Sequence, residues 1–77
     1  MIKWKLKSFS DGIALYLYQP EGEGSWGEMR FDRTARKAVI TKPASNTTPR
    51  YDHQAIKKFE NEFCEGDLPY EFTQAWG

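Results

Sequence analysis

The sequence contains one cysteine, one histidine and no excess of either charge, and each scarcity excludes a class of protein. A single cysteine, Cys64, cannot form a disulfide within the chain, which indicates a reducing compartment, and we expect the protein to be cytoplasmic. Cys64 and the lone His53 would supply only two of the four ligands that a structural zinc site usually takes. Eleven basic residues balance eleven acidic ones, so net charge gives no reason to expect nucleic acid or a membrane as the partner.

Long apolar runs are also absent, so no segment is expected to span a membrane, and residues 1–5 do not resemble a signal peptide. The 77 residues fit one small α+β domain, 1–77, in which a deep substrate cavity would compete with the core for few apolar side chains. His53 and Cys64 lie about 16 Å apart along one predicted helix, too far for a catalytic pair. We therefore expect no enzyme, and no catalytic, cofactor-binding or metal-binding residues.

A glycine-rich segment, GEGSWG at 22–27, has the G-x-G-x-x-G spacing of phosphate-binding loops. In dinucleotide sites such a loop joins a strand to a helix, whereas residues 27–32 alternate as a strand does. Acidic neighbours such as Glu23 would also repel phosphate. We interpret the segment as a connection between two hairpins, with Trp26 either plugging the edge of the core, which we favour, or exposed for a partner.

Alternation of apolar and polar residues predicts an N-terminal β-hairpin. Residues 2–7 and 12–19 form its strands, and the Asp11-Gly12 dipeptide is the strongest turn signal between them. Pairing Lys7 with Gly12 gives an inward face on which Leu6 meets Ile13, Trp4 meets Leu15 and Ile2 meets Leu17. The outward face then carries Lys3, Lys5, Lys7, Tyr16 and Tyr18.

A second hairpin and a helix are predicted downstream. Strands at 27–32 and 37–42 place Phe31 opposite Ala38, Met29 opposite Ile40 and Asp32 beside Lys37. Thr48 and Pro49 are a typical N-cap and first helical residue, and the helix is expected over 49–65 with Gly66 just past its end. Its apolar stripe consists of Ala55, Ile56, Phe59 and Phe63.

The C-terminal tail is too apolar for a frayed end, so we expect it to fold back as an aromatic latch or a short extra strand. The predicted fold class is α+β: a four-stranded antiparallel sheet of two consecutive β-hairpins, with one C-terminal helix packed on one face and the aromatic tail folded back.

Two functions fit these features. The first is a small non-enzymatic module that binds an unidentified protein partner, or a second copy through an open sheet edge. The alternative is single-stranded nucleic-acid binding through a basic and aromatic sheet face that carries Lys3, Lys5, Tyr16 and Tyr18. The candidate interaction surface comprises Lys3, Lys5, Tyr16, Tyr18, Trp26, Tyr70 and Trp76.

Overall fold

Five strands and one helix follow one another in the described part of the chain, residues 1–75 of a computed structural model. They are β1 (Ile2–Ser10), β2 (Ile13–Pro20), β3 (Gly27–Asp32), β4 (Lys37–Lys42), α1 (Pro49–Glu62) and β5 (Glu71–Gln74). The strands form one antiparallel sheet in the order β4-β3-β2-β1-β5. The α+β class is as predicted, but the sheet has five strands instead of four, because the tail adds β5 beside β1. The helix accordingly lies between β4 and β5 in the chain and is not C-terminal.

The first turn explains where the predicted pairing of β1 and β2 was wrong. Asp11 and Gly12 have φ angles of 54° and 78°, those of a two-residue type I′ hairpin turn, whose twist matches that of the flanking strands. β1 therefore continues to Ser10, and a β-bulge at Lys7 shifts the register again. The resulting pairs are Ile2 with Pro20, Trp4 with Tyr18 and Leu6 with Tyr16.

This register turns β2 over relative to the prediction, because a slip by an odd number of residues exchanges the two faces of a strand. Tyr16 and Tyr18 face the helix and are fully buried. Ile13, Leu15 and Leu17 point to the opposite face and do not join the core cluster. The expectation of an inward aliphatic face and an outward tyrosine face is thus reversed.

The core is organised around Phe59 of α1. Its ring centroid lies 4.7 Å from that of Trp4, 4.8 Å from that of Tyr16 and 5.5 Å from that of Phe31. Edge-to-face and tilted pairs of this kind add to the free energy of burial. The buried apolar residues are Ile2, Trp4, Ala14, Tyr16, Tyr18, Met29, Phe31, Ala38, Ala44, Ala55 and Phe59.

The second hairpin and the start of the helix are as predicted. β3 and β4 have the expected bounds, and the three expected pairs are present. The Thr48 side chain caps α1 by accepting a hydrogen bond from the Tyr51 amide at 3.3 Å. The helix ends at Glu62, earlier than predicted. Just beyond this end, Arg33 from the β3–β4 loop donates hydrogen bonds to the carbonyls of Phe63 and Gly66, at 3.0 and 2.7 Å. A cation there also complements the helix dipole.

β5 is held in place by a buried glutamine. Gln74 accepts a hydrogen bond from the Trp4 indole at 3.0 Å and donates to the Gln54 carbonyl at 3.4 Å. Its amide therefore joins β1, β5 and α1, and satisfies the one polar atom of the buried indole. The expectation of an extra strand from the tail is met by β5, while Trp76, the last aromatic residue of the tail, lies outside the described residues.

Candidate functional site

The glycine-rich segment serves the fold in three ways. Gly22 and Gly24 adopt φ angles of 69° and 81°, a region that residues with a side chain rarely adopt. The Ser25 amide donates to the Ser45 hydroxyl at 2.7 Å, and the Glu23 amide donates to a carbonyl within the turn. A Cβ atom at Gly27 would clash with the Tyr18 ring and with neighbouring backbone. The Glu23 and Ser25 amides, which a phosphate loop would offer to its ligand, are therefore engaged within the protein.

Of the candidate surface residues, the two tyrosines lie away from the lysines. Lys3 and Lys5 are exposed on the sheet face opposite α1, which we call the open face. Tyr16 and Tyr18 are fully buried on the helix side. A face combining these lysines with these tyrosines therefore does not form, because the bulged register places the two sets on opposite sides of the sheet.

The tyrosine hydroxyls act as anchors inside the fold. Tyr18 donates to the Asp52 carboxylate at 3.0 Å and accepts from the Ala44 amide at 3.1 Å. Burial raises the pKa of Tyr18, and the hydrogen bond from Ala44 opposes that rise. Tyr16 donates to the Pro69 carbonyl, and burial raises its pKa to about 12 despite the nearby Arg33 charge. Both side chains are thus neutral donors that tie β2 to the segments around α1.

The open face carries an aliphatic stripe formed by Ile13, Leu15 and Leu17 of β2. These side chains are partly exposed and lie outside the core cluster. Arg30 follows Leu15 in the row across the sheet, and Val39 follows Arg30 at 50% exposure. No helix among residues 1–75 packs on this face as α1 packs on the other, but neighbouring side chains, including the Lys7–Glu28 ion pair that spans β2, leave the aliphatic groups only partly exposed.

Lysines flank the aliphatic stripe on the β1 side, whereas its β3 side carries Arg30 between Asp32 and Glu28. Lys5 is opposite Leu17 on the β1 side, and Arg30 is opposite Leu15 on the β3 side. On the open face, basic residues outnumber acidic ones: the basic residues are Lys3, Lys5, Lys7, Arg30, Lys37 and Lys42, and the acidic residues are Glu28, Asp32 and Glu71. Because the whole chain is neutral, the remainder of the molecule carries the matching acidic excess.

Most of these open-face cations form no ion pair with the described residues, 1–75. Lys7 spans β2 to reach the Glu28 carboxylate at 3.1 Å. Within residues 1–75, Lys3, Lys5 and Arg30 form no ion pair. Unpaired cations beside apolar groups favour a ligand that has both an apolar surface and carboxylates.

A groove of about 480 Å³ lies where the open face crosses β1 and β5. Its side-chain walls are Trp26, Lys3, Lys5, Glu71 and Thr73, and we call it the Trp26 groove. Trp26 is neither fully buried nor fully exposed, so its indole both packs on the sheet and presents a surface to the groove. Tyr70, in contrast, is 62% exposed and lies next to the start of β5, outside the groove lining.

The outer edge of β4 is partly closed by the helix. The Glu60 carboxylate accepts a hydrogen bond from the Ala38 amide at 2.8 Å. A bulge at Thr41 further interrupts the edge. Both features hinder the addition of another strand, which weighs against self-association at β4.

Other reactive groups lie away from the open face. His53 is exposed on α1, and the Cys64 thiol donates to the Glu60 carbonyl at 3.2 Å. Among residues 1–75, no group of three or more His, Cys, Asp or Glu side chains is placed to hold a metal ion. The same residues include no helix with the length and apolar character needed to cross a membrane.

The open face was missed by sequence reasoning because β2 is apolar on both sides. Its alternation gives Ile13, Leu15 and Leu17 on one side and Ala14, Tyr16 and Tyr18 on the other. The signal that distinguishes them is the tyrosine hydroxyl, which has a partner only on the helix side.

No family model, curated protein or solved structure matches this chain.

Proposed function

We propose that the chain is a non-enzymatic, cytoplasmic module that binds an amphipathic helix of another protein on its open face. The observation that carries the proposal is the aliphatic stripe, which is partly exposed beside Lys3, Lys5 and Arg30, cations that form no ion pair in residues 1–75. Fully burying an aliphatic side chain contributes about 1.5–3 kcal/mol. Covering a partly exposed stripe residue such as Leu15 would contribute part of this, about 0.5–1 kcal/mol.

The dimensions of the stripe favour a helix as the bound element. From Ile13 to Leu17 the strand advances about 14 Å, at about 3.4 Å per residue. Apolar residues at i, i+4 and i+8 of a helix span about 12 Å. Such a helix would lie along β2 and extend its flanking residues over β1 and β3.

Charge identifies the residues on one flank of that helix as acidic. Lys3 and Lys5 lie on one side of the stripe and Arg30 on the other, without ion pairs in residues 1–75. Glutamates or aspartates on the helix flank over β1 would meet Lys3 and Lys5. Over β3 only the position facing Arg30 favours an acidic residue, because Asp32 and Glu28 lie on either side of it. A second copy of this face would instead bring like charges together, so we assign the partner to a different protein.

Nucleic acid is the alternative occupant. Lys3, Lys5 and Trp26 share the Trp26 groove, and an indole with two ammonium groups can hold a stacked base and a phosphate. The neighbouring Ile13, Leu15 and Leu17, however, give aliphatic surface without a stacking ring, and Glu71 would repel a phosphate. The protein partner therefore fits more of the face.

The test is an NMR titration with a synthetic peptide of about three helical turns, with leucines along one face and glutamates on the flank that would lie over β1. We expect saturable shifts of amides in β2 and β3, weaker at high salt. Leu15→Thr, in the aliphatic stripe, should weaken binding by about 0.5–1 kcal/mol, whereas Tyr70→Thr, a change at an exposed site outside the stripe, should not. Shifts confined to α1, or equal binding of a peptide with glutamines in place of glutamates, would contradict the proposal.

A further inference from the structure

The Trp26 groove has its own recognition chemistry. Lys3 and Lys5 are two residues apart on one face of β1, so their side chains project in the same direction. Thr73 lies opposite Lys3 and Glu71 opposite Lys5 on β5. The groove thus presents two ammonium groups, a hydroxyl, one carboxylate and the indole of Trp26.

The charges in the groove favour a single anionic group. Neither Lys3 nor Lys5 is in an ion pair within the described chain, even though Glu71 is the cross-strand neighbour of Lys5. The two lysines therefore retain their positive charge for a ligand, while Glu71 partly offsets it. One carboxylate balances the remaining charge better than a chain of phosphates does.

The indole adds a requirement for a flat or apolar group beside the anion. A partly exposed tryptophan favours an aromatic ring in offset-stacked or edge-to-face contact. A volume of about 480 Å³ lies in the range of small-ligand sites, enough for one aromatic side chain with an adjacent acidic one.

We infer that the Trp26 groove binds an aromatic residue followed by an acidic residue in the partner, with the ring on Trp26 and the carboxylate between Lys3 and Lys5. This inference rests on the proposed function in taking its ligand from the same partner. It goes beyond the proposed function by assigning a second contact site, on the β1–β5 side of the aliphatic stripe. This site would favour partners that carry the aromatic–acidic pair over other acidic helices.

The experiment uses a short probe that is too small to cover the aliphatic stripe. The full chain, labelled with ¹⁵N, is titrated with acetyl-Phe-Glu-amide and separately with acetyl-Phe-Gln-amide. The indole resonance of Trp26 is assigned from its loss in Trp26→Phe. We expect a saturable shift of that resonance with the Glu probe. Binding of the Gln probe should be about four- to twenty-fivefold weaker, since each of the two exposed ion pairs contributes a roughly two- to fivefold change.

Two groove variants should change the affinity in opposite directions. Lys3→Gln should weaken binding of the Glu probe roughly two- to fivefold, and Glu71→Gln should strengthen it by a similar factor. Lys57→Gln, which removes an exposed lysine from α1, is the matched control and should leave the affinity unchanged. A merely structural role for the groove would not give opposite signs.

The outcomes separate this inference from the proposed function. If the longer acidic peptide shifts β2 and β3 but the Glu probe leaves Trp26 unchanged, the groove inference fails and the proposed function stands. If the Glu probe binds with the expected variant effects but the longer peptide does not bind, the proposed function fails and the groove stands as a ligand site. Equal binding of both probes, or tighter Lys3-dependent binding of a thymidine oligonucleotide, would overturn the assignment to an aromatic–acidic pair.

Discussion

The replacement Tyr18→Phe tests which face of β2 is buried. In the structure the Tyr18 hydroxyl donates to Asp52 and accepts from the buried Ala44 amide. Losing a hydrogen bond to a charged acceptor costs about 1.5–3 kcal/mol, and leaving a buried amide without a partner costs about 1–3 kcal/mol. Asp52 keeps its hydrogen bond from Thr47 at 2.6 Å, so we expect a combined loss of about 2–4 kcal/mol.

Urea denaturation measures this loss directly. A domain of this length has a free energy of unfolding of about 4–12 kcal/mol, so the variant should be much less stable, with an unchanged m-value. Its Tm should fall by about 10–25 °C. Tyr70→Phe, at a residue that is 62% exposed, is the matched control and should change stability by less than about 0.5 kcal/mol. Equal stability of the two variants would refute the inward placement of Tyr18.

Three other changes probe separate parts of the fold. Gly27→Ala should destabilise the protein by about 1–3 kcal/mol in urea denaturation, because the added Cβ meets the Tyr18 ring and backbone; wild-type stability would contradict that close approach. The contribution of Tyr16 to stability should be constant below about pH 10 and be lost between about pH 10 and about pH 12, because folded Tyr16, with a pKa of about 12, retains a proton that the unfolded chain releases. Tyr16→Phe should flatten this part of the pH profile. Glu60→Ala should free the Ala38 amide at the β4 edge and produce dimers in analytical ultracentrifugation. Glu60→Gln keeps an acceptor for that amide and should stay monomeric, so identical sedimentation of the two variants would contradict the role of Glu60.

Local signals were sufficient where one face of an element is apolar and the other polar. β3 alternates Met29 and Phe31 with charged residues, so its inward face and its pairing with β4 follow from the sequence. The helix start follows in the same way from Thr48 and Pro49, whose capping chemistry is local.

The first hairpin could not be predicted in this way. Both faces of β2 are apolar, and the register depends on a bulge at Lys7 for which the sequence carries no local signal. The buried face is selected by distant partners, since the tyrosine hydroxyls bond to Asp52, Ala44 and Pro69. These contacts exist only once the helix and the tail are in place.

The candidate site was predicted in part for the same reason. The outward direction of Lys3 and Lys5 follows from the alternation of β1, which has one apolar face. Their neighbours on that face depend on the register, so the lysines were expected beside Tyr16 and in fact lie beside Leu17 and Trp26. Which aromatic residue is available to a ligand is therefore a property of the sheet.

A NOESY spectrum of the protein in solution would show most directly which side chains of β2 the helix covers. The Phe59 ring should give cross-peaks to the rings of Trp4 and Tyr16, whose centroids lie 4.7 and 4.8 Å away, and none to the methyl groups of Leu15 and Leu17. Cross-peaks from Phe59 to those leucine methyl groups, without contacts to Tyr16, would mean that the aliphatic side of the sheet is its interior and that no open docking face exists.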